Sequence, residues 1–290
     1  MKKKIFVYCD TEWSLGRVNR NVQKWLRYKY DFTFCDWAHK GIHFLLEVMN
    51  EYDIILTNLC NLRYLLQCAG NNICLKKFIF VSHGYPEMQE IYTIDTIYTA
   101  TSKSITSLFP KIIQQKLLYT YTGVEPSNFN YIQKTGEIKK IGWCGGYTFK
   151  TKRYEWTQEI ANQTALEYEI QSKLSYDEIK QWYNTIDVLL VNSGPEEWCE
   201  TGPLHSVEGI ISGTLVIGTK VGNFKNIPGP KYETVEEAVA ILNDLKQNKD
   251  KVVSLMKEQY NYVINNCTYE QLIDGWDIAF KSSLALSSTI

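Results

Sequence analysis

Glu200 and Glu208 flank the run Thr201-Gly202-Pro203-Leu204 in the stretch DVLLVNSGPEEWCETGPLHSVEGIISGTLVIGTKVG, residues 187–222. The stretch reads as strand, loop, helix, strand. Asp187-Val-Leu-Leu-Val-Asn is a short apolar run of the kind buried in a parallel sheet. Thr201-Gly202-Pro203-Leu204 reads as a helix start, with Pro203 at the first helical position, where a missing N–H costs nothing. Ile210-Ile-Ser-Gly closes the helix, and Thr214-Leu-Val-Ile-Gly is the next strand. A helix N-terminus leaves backbone amides that suit a phosphate. The two carboxylates accept hydrogen bonds, as sugar hydroxyls require of a partner. Spacing alone is not the signal. Glu159 and Glu167 stand the same eight residues apart with no glycine turn and no helix start between them. Only the strand–turn–helix setting makes the first pair informative.

The elements that must position this segment alternate along the whole chain of 290 residues. Lys4-Ile-Phe-Val-Tyr-Cys, Phe32-Thr-Phe-Cys, Ile54-Ile-Leu-Thr, Phe78-Ile-Phe-Val, Thr96-Ile-Tyr-Thr-Ala and Leu117-Leu-Tyr-Thr-Tyr read as strands. Between them lie helical segments such as Val18, Val22, Trp25 and Leu26 at helical spacing, and a further helix around Lys103–Phe109. The polar run Pro126–Glu137 breaks the pattern and reads as a linker. The alternation then restarts: strand at Ile138–Cys144, glycine turn at Gly145-Gly146, helix over Lys150–Ala161, strand at Leu166–Ile170. Capping boxes are read at Ser175–Glu178, Thr234–Glu237 and Thr268–Gln271. The expected organisation is an N-terminal doubly wound domain over 1–130, a second over 138–266, and a final helix in 267–290 that crosses back to the first. Parallel sheets of this α/β kind bind ligands in the crevice outside the carboxyl ends of their strands.

Composition limits the rest. Residues 1–137 carry 16 Lys+Arg against 12 Asp+Glu, and residues 138–290 carry 15 against 20. The basic excess gathers at Lys2, Lys3, Lys4, Arg17, Arg20, Lys24, Arg27 and Lys29, interleaved with Trp13, Trp25 and Tyr28. That pattern fits a weak peripheral contact with an anionic lipid surface or attraction to an anionic acceptor, and it fits a solvated helix face. No nucleic-acid-binding module accompanies the charge, so nucleic acid is not an expected partner. The eight cysteines show no CxxC and no metal-ligand spacing, which fits core thiols of a reducing compartment. The apolar run after Lys2-Lys-Lys is too short for a secretory leader, and no run reaches membrane-spanning length. A cytoplasmic protein is expected.

The order of short motifs resembles that of the GT-B glycosyltransferases, specifically the retaining group called family 4. Phe80-Val-Ser-His83-Gly84 is similar to that family's strand ending in histidine. Thr99-Ala-Thr-Ser102 resembles its following strand–serine–helix step. Thr122-Gly-Val-Glu-Pro-Ser-Asn-Phe129 resembles its turn before the linker. Ile141-Gly-Trp-Cys-Gly-Gly, with Lys152-Arg153 following, resembles its glycine turn and cation, and Glu200…Glu208 its two-glutamate motif.

The resemblance implies two Rossmann-like domains facing a central cleft, with the donor held by the C-terminal one. It implies a retaining transferase that moves a sugar from a nucleoside diphosphate sugar to a hydroxyl acceptor, whether glycan, lipid-linked or other. Lys152 and Arg153, with the amides of Gly202 and Leu204, would then neutralise the leaving diphosphate, and no metal or other cofactor would be needed. Thr201 and Pro203 would shape the same turn. Glu208 would take the ribose hydroxyls and Glu200 the transferred sugar. His83 and Gly16, the latter in the reduced loop Ser14-Leu15-Gly16, would approach the donor. Two departures stand out. Trp143 occupies the place after Gly142 where the family often has arginine, so the cationic role falls on Lys152 with Arg153 or Lys150, and Thr201-Gly202-Pro203 replaces its usual Gly-Phe-Gly. Asp10-Thr-Glu12 imitates an Asp-x-Asp metal motif but follows the first strand, where no such site is expected. The alternatives of the same fold are a nucleotide-sugar epimerase or hydrolase, or a non-catalytic nucleotide-sugar binding protein. An epimerase would need additional acidic and basic residues in the N-terminal cleft, and the sequence singles out none for that role.

Overall fold

The structure is a computed structural model that describes residues 1–11, 14–69, 73–84, 95–146, 150–194 and 201–288. The chain divides into two compact units: Met1–Thr122 together with Tyr269–Ile290, and Gly123–Thr268.

The first unit is built on six parallel strands: β1 (Lys3–Cys9), β2 (Tyr30–Asp36), β3 (Ile54–Asn58), β4 (Phe78–Ser82), β5 (Ile97–Ala100) and β6 (Leu118–Tyr119). Their order is β2-β1-β3-β4-β5-β6. Ile5 of β1 pairs with Phe32 on one side and Ile54 on the other, so the chain reverses its direction of travel across the sheet at β1. Helices α1 (Ser14–Leu26), α2 (Ile42–Val48), α3 (Asn61–Ala69) and α4 (Lys111–Gln114) connect the strands. The central strands β3 and β4 are buried at every position, which explains their unbroken apolar runs. One core layer holds Phe6, Ile55, Leu65, Phe78 and Phe80, with Phe78 and Phe80 stacked at 5.6 Å. The segment expected as a helix around Lys103–Phe109 is a 3-10 stretch, Lys103–Leu108, whose start is capped by the Ser102 hydroxyl accepting from the Ser104 amide.

The second unit carries four parallel strands, β7 (Lys140–Cys144), β8 (Glu167–Gln171), β9 (Val188–Val191) and β10 (Leu215–Gly218), in the order β10-β9-β7-β8. Its helices are α5 (Glu155–Thr164), α6 (Tyr176–Trp182), α7 (Leu204–Ile211), α8 (Val235–Lys246) and α9 (Lys249–Asn266). Ser175 and Glu178 form the complete capping box of α6. At α8 the Thr234 hydroxyl accepts from the Glu237 amide, while the Glu237 carboxylate accepts from the Glu233 amide one residue early. The polar run Pro126–Glu137 belongs to this unit. Its Lys134 ammonium donates to the carbonyls of Tyr183 and Ile186 and to the Thr214 hydroxyl. Burial pushes that ammonium's pKa down to about 8.

The last helix, α10 (Tyr269–Ser287), belongs to the first unit and packs on α1 and on β3 to β6. Trp276 donates its indole N–H to the Tyr121 carbonyl at 3.1 Å, and Phe280 meets Tyr30 edge-on at 5.2 Å. Asp277 anchors the helix by accepting from Lys29 and the Tyr30 hydroxyl, both at 2.8 Å, and from Lys281 at 2.7 Å. Burial alone would raise this carboxyl, but those bonds outweigh it and hold it below the usual carboxylate range.

The basic excess of the first unit is partly spent inside it. Lys29 pairs with Asp277, Lys3 pairs with Asp53, and the Arg20 guanidinium lies 5.3 Å over the Phe34 ring. Among the described residues no helix is long and apolar enough to cross a membrane.

Candidate functional site at the carboxyl ends of the second sheet

Strands β9 and β10 are in register, with Val191 opposite Gly218, so the loops leaving them start side by side. Thr219 ties the two loops together. Its amide donates to the Val191 carbonyl at 2.8 Å and its hydroxyl to the Ser193 carbonyl at 2.6 Å. The buried residues Asn192, Ser193 and Gly194 follow β9 directly, so this loop begins as part of the core rather than as a solvent excursion.

A first seam joins that loop to the segment after the glycine turn. The helix expected over Lys150–Ala161 is interrupted: a 3-10 turn spans Lys150–Lys152, and α5 begins only at Glu155. The cause is Arg153, whose φ of +45° lies in the left-handed region that an arginine rarely adopts. Its carbonyl accepts from the Asn192 side-chain amide at 3.3 Å and from the Trp156 amide at 3.2 Å. Asn192 also donates to the Thr157 hydroxyl at 3.0 Å and accepts from the Tyr232 hydroxyl. Burial pushes that phenol's pKa well above its ordinary value, so it stays a donor. The Gly194 amide donates to the Thr151 carbonyl at 2.6 Å. These bonds hold the left-handed turn at the carboxyl end of β9. The Arg153 guanidinium itself lies 4.5 Å over the Trp156 ring, a cation–π contact that fixes a long side chain. Lys152 sits one residue earlier, half-buried, in the 3-10 turn.

A second seam starts α7. Pro203 is the N-cap rather than the first helical residue, because its ψ of 113° is extended, and the helix opens at Leu204. The Pro203 carbonyl accepts from the Ser206 amide at 2.9 Å and from the Ser206 hydroxyl at 2.7 Å. Gly202 has a φ of +154°, and a Cβ there would come 3.1 Å from the Asn223 side-chain nitrogen. The Asn223 amide in turn donates to the Thr201 carbonyl at 3.0 Å, binding the helix start to the turn after β10. Thr201 and Pro203 are buried and Gly202 and Leu204 half-buried.

Glu208, in the second turn of α7, is only 5% exposed. Its Oε2 accepts a 2.9 Å hydrogen bond from the Tyr183 hydroxyl. Glu200 falls in residues 195–200, outside the described residues, as does Glu12 of the Asp10-Thr-Glu12 run. His83 and Gly16 belong to the first unit. His83 follows β4, and desolvation by burial pushes its pKa down to about 4, so the ring is neutral at neutral pH. Gly16 lies on α1, where a Cβ would meet the Thr11 carbonyl oxygen at 2.5 Å. Thus Lys152, Arg153 and Thr201–Leu204 gather on two seams tied by Thr219, Glu208 stands on the helix behind the second, and His83 and Gly16 stand on the other unit.

Tyr183, Asn192, Gly194, Thr219 and Asn223 were not singled out from the sequence. Only Asn192-Ser193-Gly194 carries a local signal there, a polar step immediately after a buried strand. Among the described residues no cluster of three His, Cys, Asp or Glu groups could hold a metal ion.

The chain matches no protein-family model and no curated protein. It does match solved structures. Anabaena HepE in complex with UDP and glucose is 10% identical with a TM-score of 0.73, over 97% of this chain and 100% of that one. AviGT4, a glycosyltransferase involved in avilamycin A biosynthesis, is 12% identical with a TM-score of 0.67, over 98% of each chain. The catalytic domain of starch synthase IV from Arabidopsis thaliana, bound to ADP and acarbose, is 9% identical with a TM-score of 0.71, over 98% of this chain and 100% of that one. The fold is therefore GT-B, two doubly wound α/β units with parallel sheets.

Proposed function

We propose that this protein transfers a sugar from a nucleoside diphosphate sugar to a hydroxyl acceptor, with retention of anomeric configuration and without a metal ion. The observation that carries the reading is the left-handed Arg153, fixed by Asn192 and Trp156 where β9 ends. Backbone strain of this sort costs on the order of 1–3 kcal/mol and persists only where its surroundings over-determine it, typically at ligand sites. Solved structures of the same fold hold UDP or ADP, which supports a nucleoside diphosphate as the ligand here.

The chemistry follows from charge. As the sugar–oxygen bond breaks, negative charge grows on the departing diphosphate. A guanidinium and helix-end amides aimed at that point stabilise the transition state more than the ground state. Arg153, with Lys152 beside it, supplies the cation. The amides of Gly202 and Leu204 supply the dipoles, and Thr201 and Pro203 the shape of the turn. Pro203 has no N–H and donates nothing. Glu208 takes the ribose hydroxyls, because a carboxylate accepts hydrogen bonds and the Tyr183 hydroxyl is among the groups that orient it. Glu200 binds the transferred sugar's hydroxyls and stabilises its oxocarbenium-like charge. The acceptor oxygen attacks on the face the leaving group vacates, and its proton passes to the departing phosphate oxygen. No separate general base is required. His83 and Gly16 are further donor-binding residues of this reading. The seven described cysteines are free thiols, which supports a cytoplasmic setting. A glycan or lipid-linked hydroxyl is the acceptor class, and the basic first unit gives weak contact with an anionic surface.

The test is incubation with UDP-, GDP- and ADP-sugars, with and without EDTA, followed by nucleotide release and the anomeric proton signals of the product. EDTA-insensitive release with retention supports the reading. Tight donor binding without turnover, with any candidate acceptor, sinks it.

A further inference from the structure

Glu208 is a buried carboxylate, and a buried carboxylate points where its hydrogen-bond donors direct it. One donor to it is Tyr183, itself fully buried at the end of α6. The backbone that carries the phenol is in turn held. The Tyr183 carbonyl accepts from the Thr214 hydroxyl at 2.6 Å and from the Lys134 ammonium at 3.2 Å. The same ammonium donates to the Ile186 carbonyl and, at 3.1 Å, to Thr214. Ile132, two residues before Lys134, donates its amide to the Ser212 carbonyl at the C-cap of α7. The segment 132–134 therefore touches both ends of the relation, the backbone that carries Tyr183 and the helix that carries Glu208.

We infer that Tyr183 is a positioning residue that aims the Glu208 carboxylate at the donor's ribose, with Lys134 fixing the backbone from which the phenol reaches. The inference rests on the ribose-binding reading of Glu208. The bond runs from O–H to carboxylate at 2.9 Å, and its loss removes one of the restraints on the carboxylate's orientation. A ribose gripped through two hydroxyls is sensitive to such rotation, since both bonds must form together. The sugar-transfer chemistry lies elsewhere on the donor, so the effect falls on donor binding and leaves the turnover step alone.

The experiment compares wild type with Tyr183→Phe in titrations of the full chain with UDP, GDP and ADP and with their 2′,3′-dideoxy counterparts. In the wild type the dideoxy form of the bound nucleotide binds at least tenfold more weakly. In Tyr183→Phe the ribose-bearing nucleotide loses about tenfold in affinity, the dideoxy form loses little, and their ratio falls towards one. With the matching sugar nucleotide, KM rises and kcat holds. Equal weakening of both forms overturns the positioning role and leaves the ribose reading standing. A wild type that does not distinguish ribose from dideoxyribose overturns the ribose reading itself, and the inference with it. Phe fills the space of Tyr, and retained melting behaviour verifies folding. Should that variant unfold, Lys134→Met leaves the hydroxyl in place but removes one of the two donors to the carbonyl beneath it, Thr214 remaining as the other. The ribose-to-dideoxy ratio then falls if the inference holds and stays at the wild-type value if it does not.

Discussion

The Arg153 guanidinium rests against Gly194: a Cβ at residue 194 would come 3.3 Å from its Nη2 and 3.5 Å from the Thr151 carbonyl oxygen. The glycine and the arginine thus share one space at the carboxyl end of β9. Gly194→Ala should shift the flexible guanidinium by a few tenths of an ångström and leave the fold intact. The expected cost is roughly tenfold in kcat/KM for the donor, because small misplacements of a positioning cation are expensive. Unchanged kinetics would detach Arg153 from the reaction.

Arg153 itself separates strain from function. Arg153→Gly removes both the cation and the cost of its left-handed backbone, while Arg153→Ala removes the cation and keeps that cost. Urea unfolding should find Arg153→Gly within about 1 kcal/mol of wild type and at least as stable as Arg153→Ala. Both should lose about 10²–10³-fold in kcat, the usual effect of deleting one group that stabilises developing negative charge. Retained activity in Arg153→Gly would pass the cationic role to Lys152.

Gly202→Ala tests the helix start. The φ of +154° is open to glycine and strained for alanine, and the new Cβ would press on the Asn223 side chain. A loss of about 1–3 kcal/mol is expected from thermal unfolding, with a rise in donor KM. Wild-type stability and KM together would show that this turn does not present the amides of α7.

Features set by local chemistry are legible in the sequence, and those set by distant partners are not. The central strands announced themselves because both faces are buried, as in Phe78–Ser82, and the α6 capping box needs only Ser175 and Glu178. The strand–turn–helix setting of Glu208 was equally local. Arg153 was visible as a charge, but its left-handed backbone was not, since that conformation is imposed by Asn192, 39 residues away. Lys134 looked like one more polar residue of a linker. Its grip on Tyr183 joins residues 49 apart, and no window of sequence displays it. Pro203 is the N-cap and not the first helical residue, a one-residue difference that local sequence does not resolve, because proline's fixed φ is compatible with either position and ψ decides between them.

His83 makes a pH prediction. Its folded pKa is lowered to about 4 from an ordinary 6.5, so between those values the unfolded chain binds more protons than the folded one. Stability should therefore fall as pH drops through that window, and be free of this penalty above it. His83→Gln removes the titration. Relative to the variant, wild type should lose up to about 3 kcal/mol between pH 7 and pH 4. Parallel stability profiles for the two proteins would show that the imidazole is not desolvated.

We propose that a nucleoside diphosphate seats at the carboxyl ends of β9 and β10, between the seam of Arg153 and the seam of Thr201–Leu204. Amide hydrogen exchange of the full chain, with and without each of UDP, GDP and ADP, is the measurement that decides it. At least one nucleotide should slow exchange in peptides covering 150–157 and 201–212, while 30–58 is unchanged. Protection confined to residues 1–122, or no change at 150–157 and 201–212 with any of the three, would contradict it.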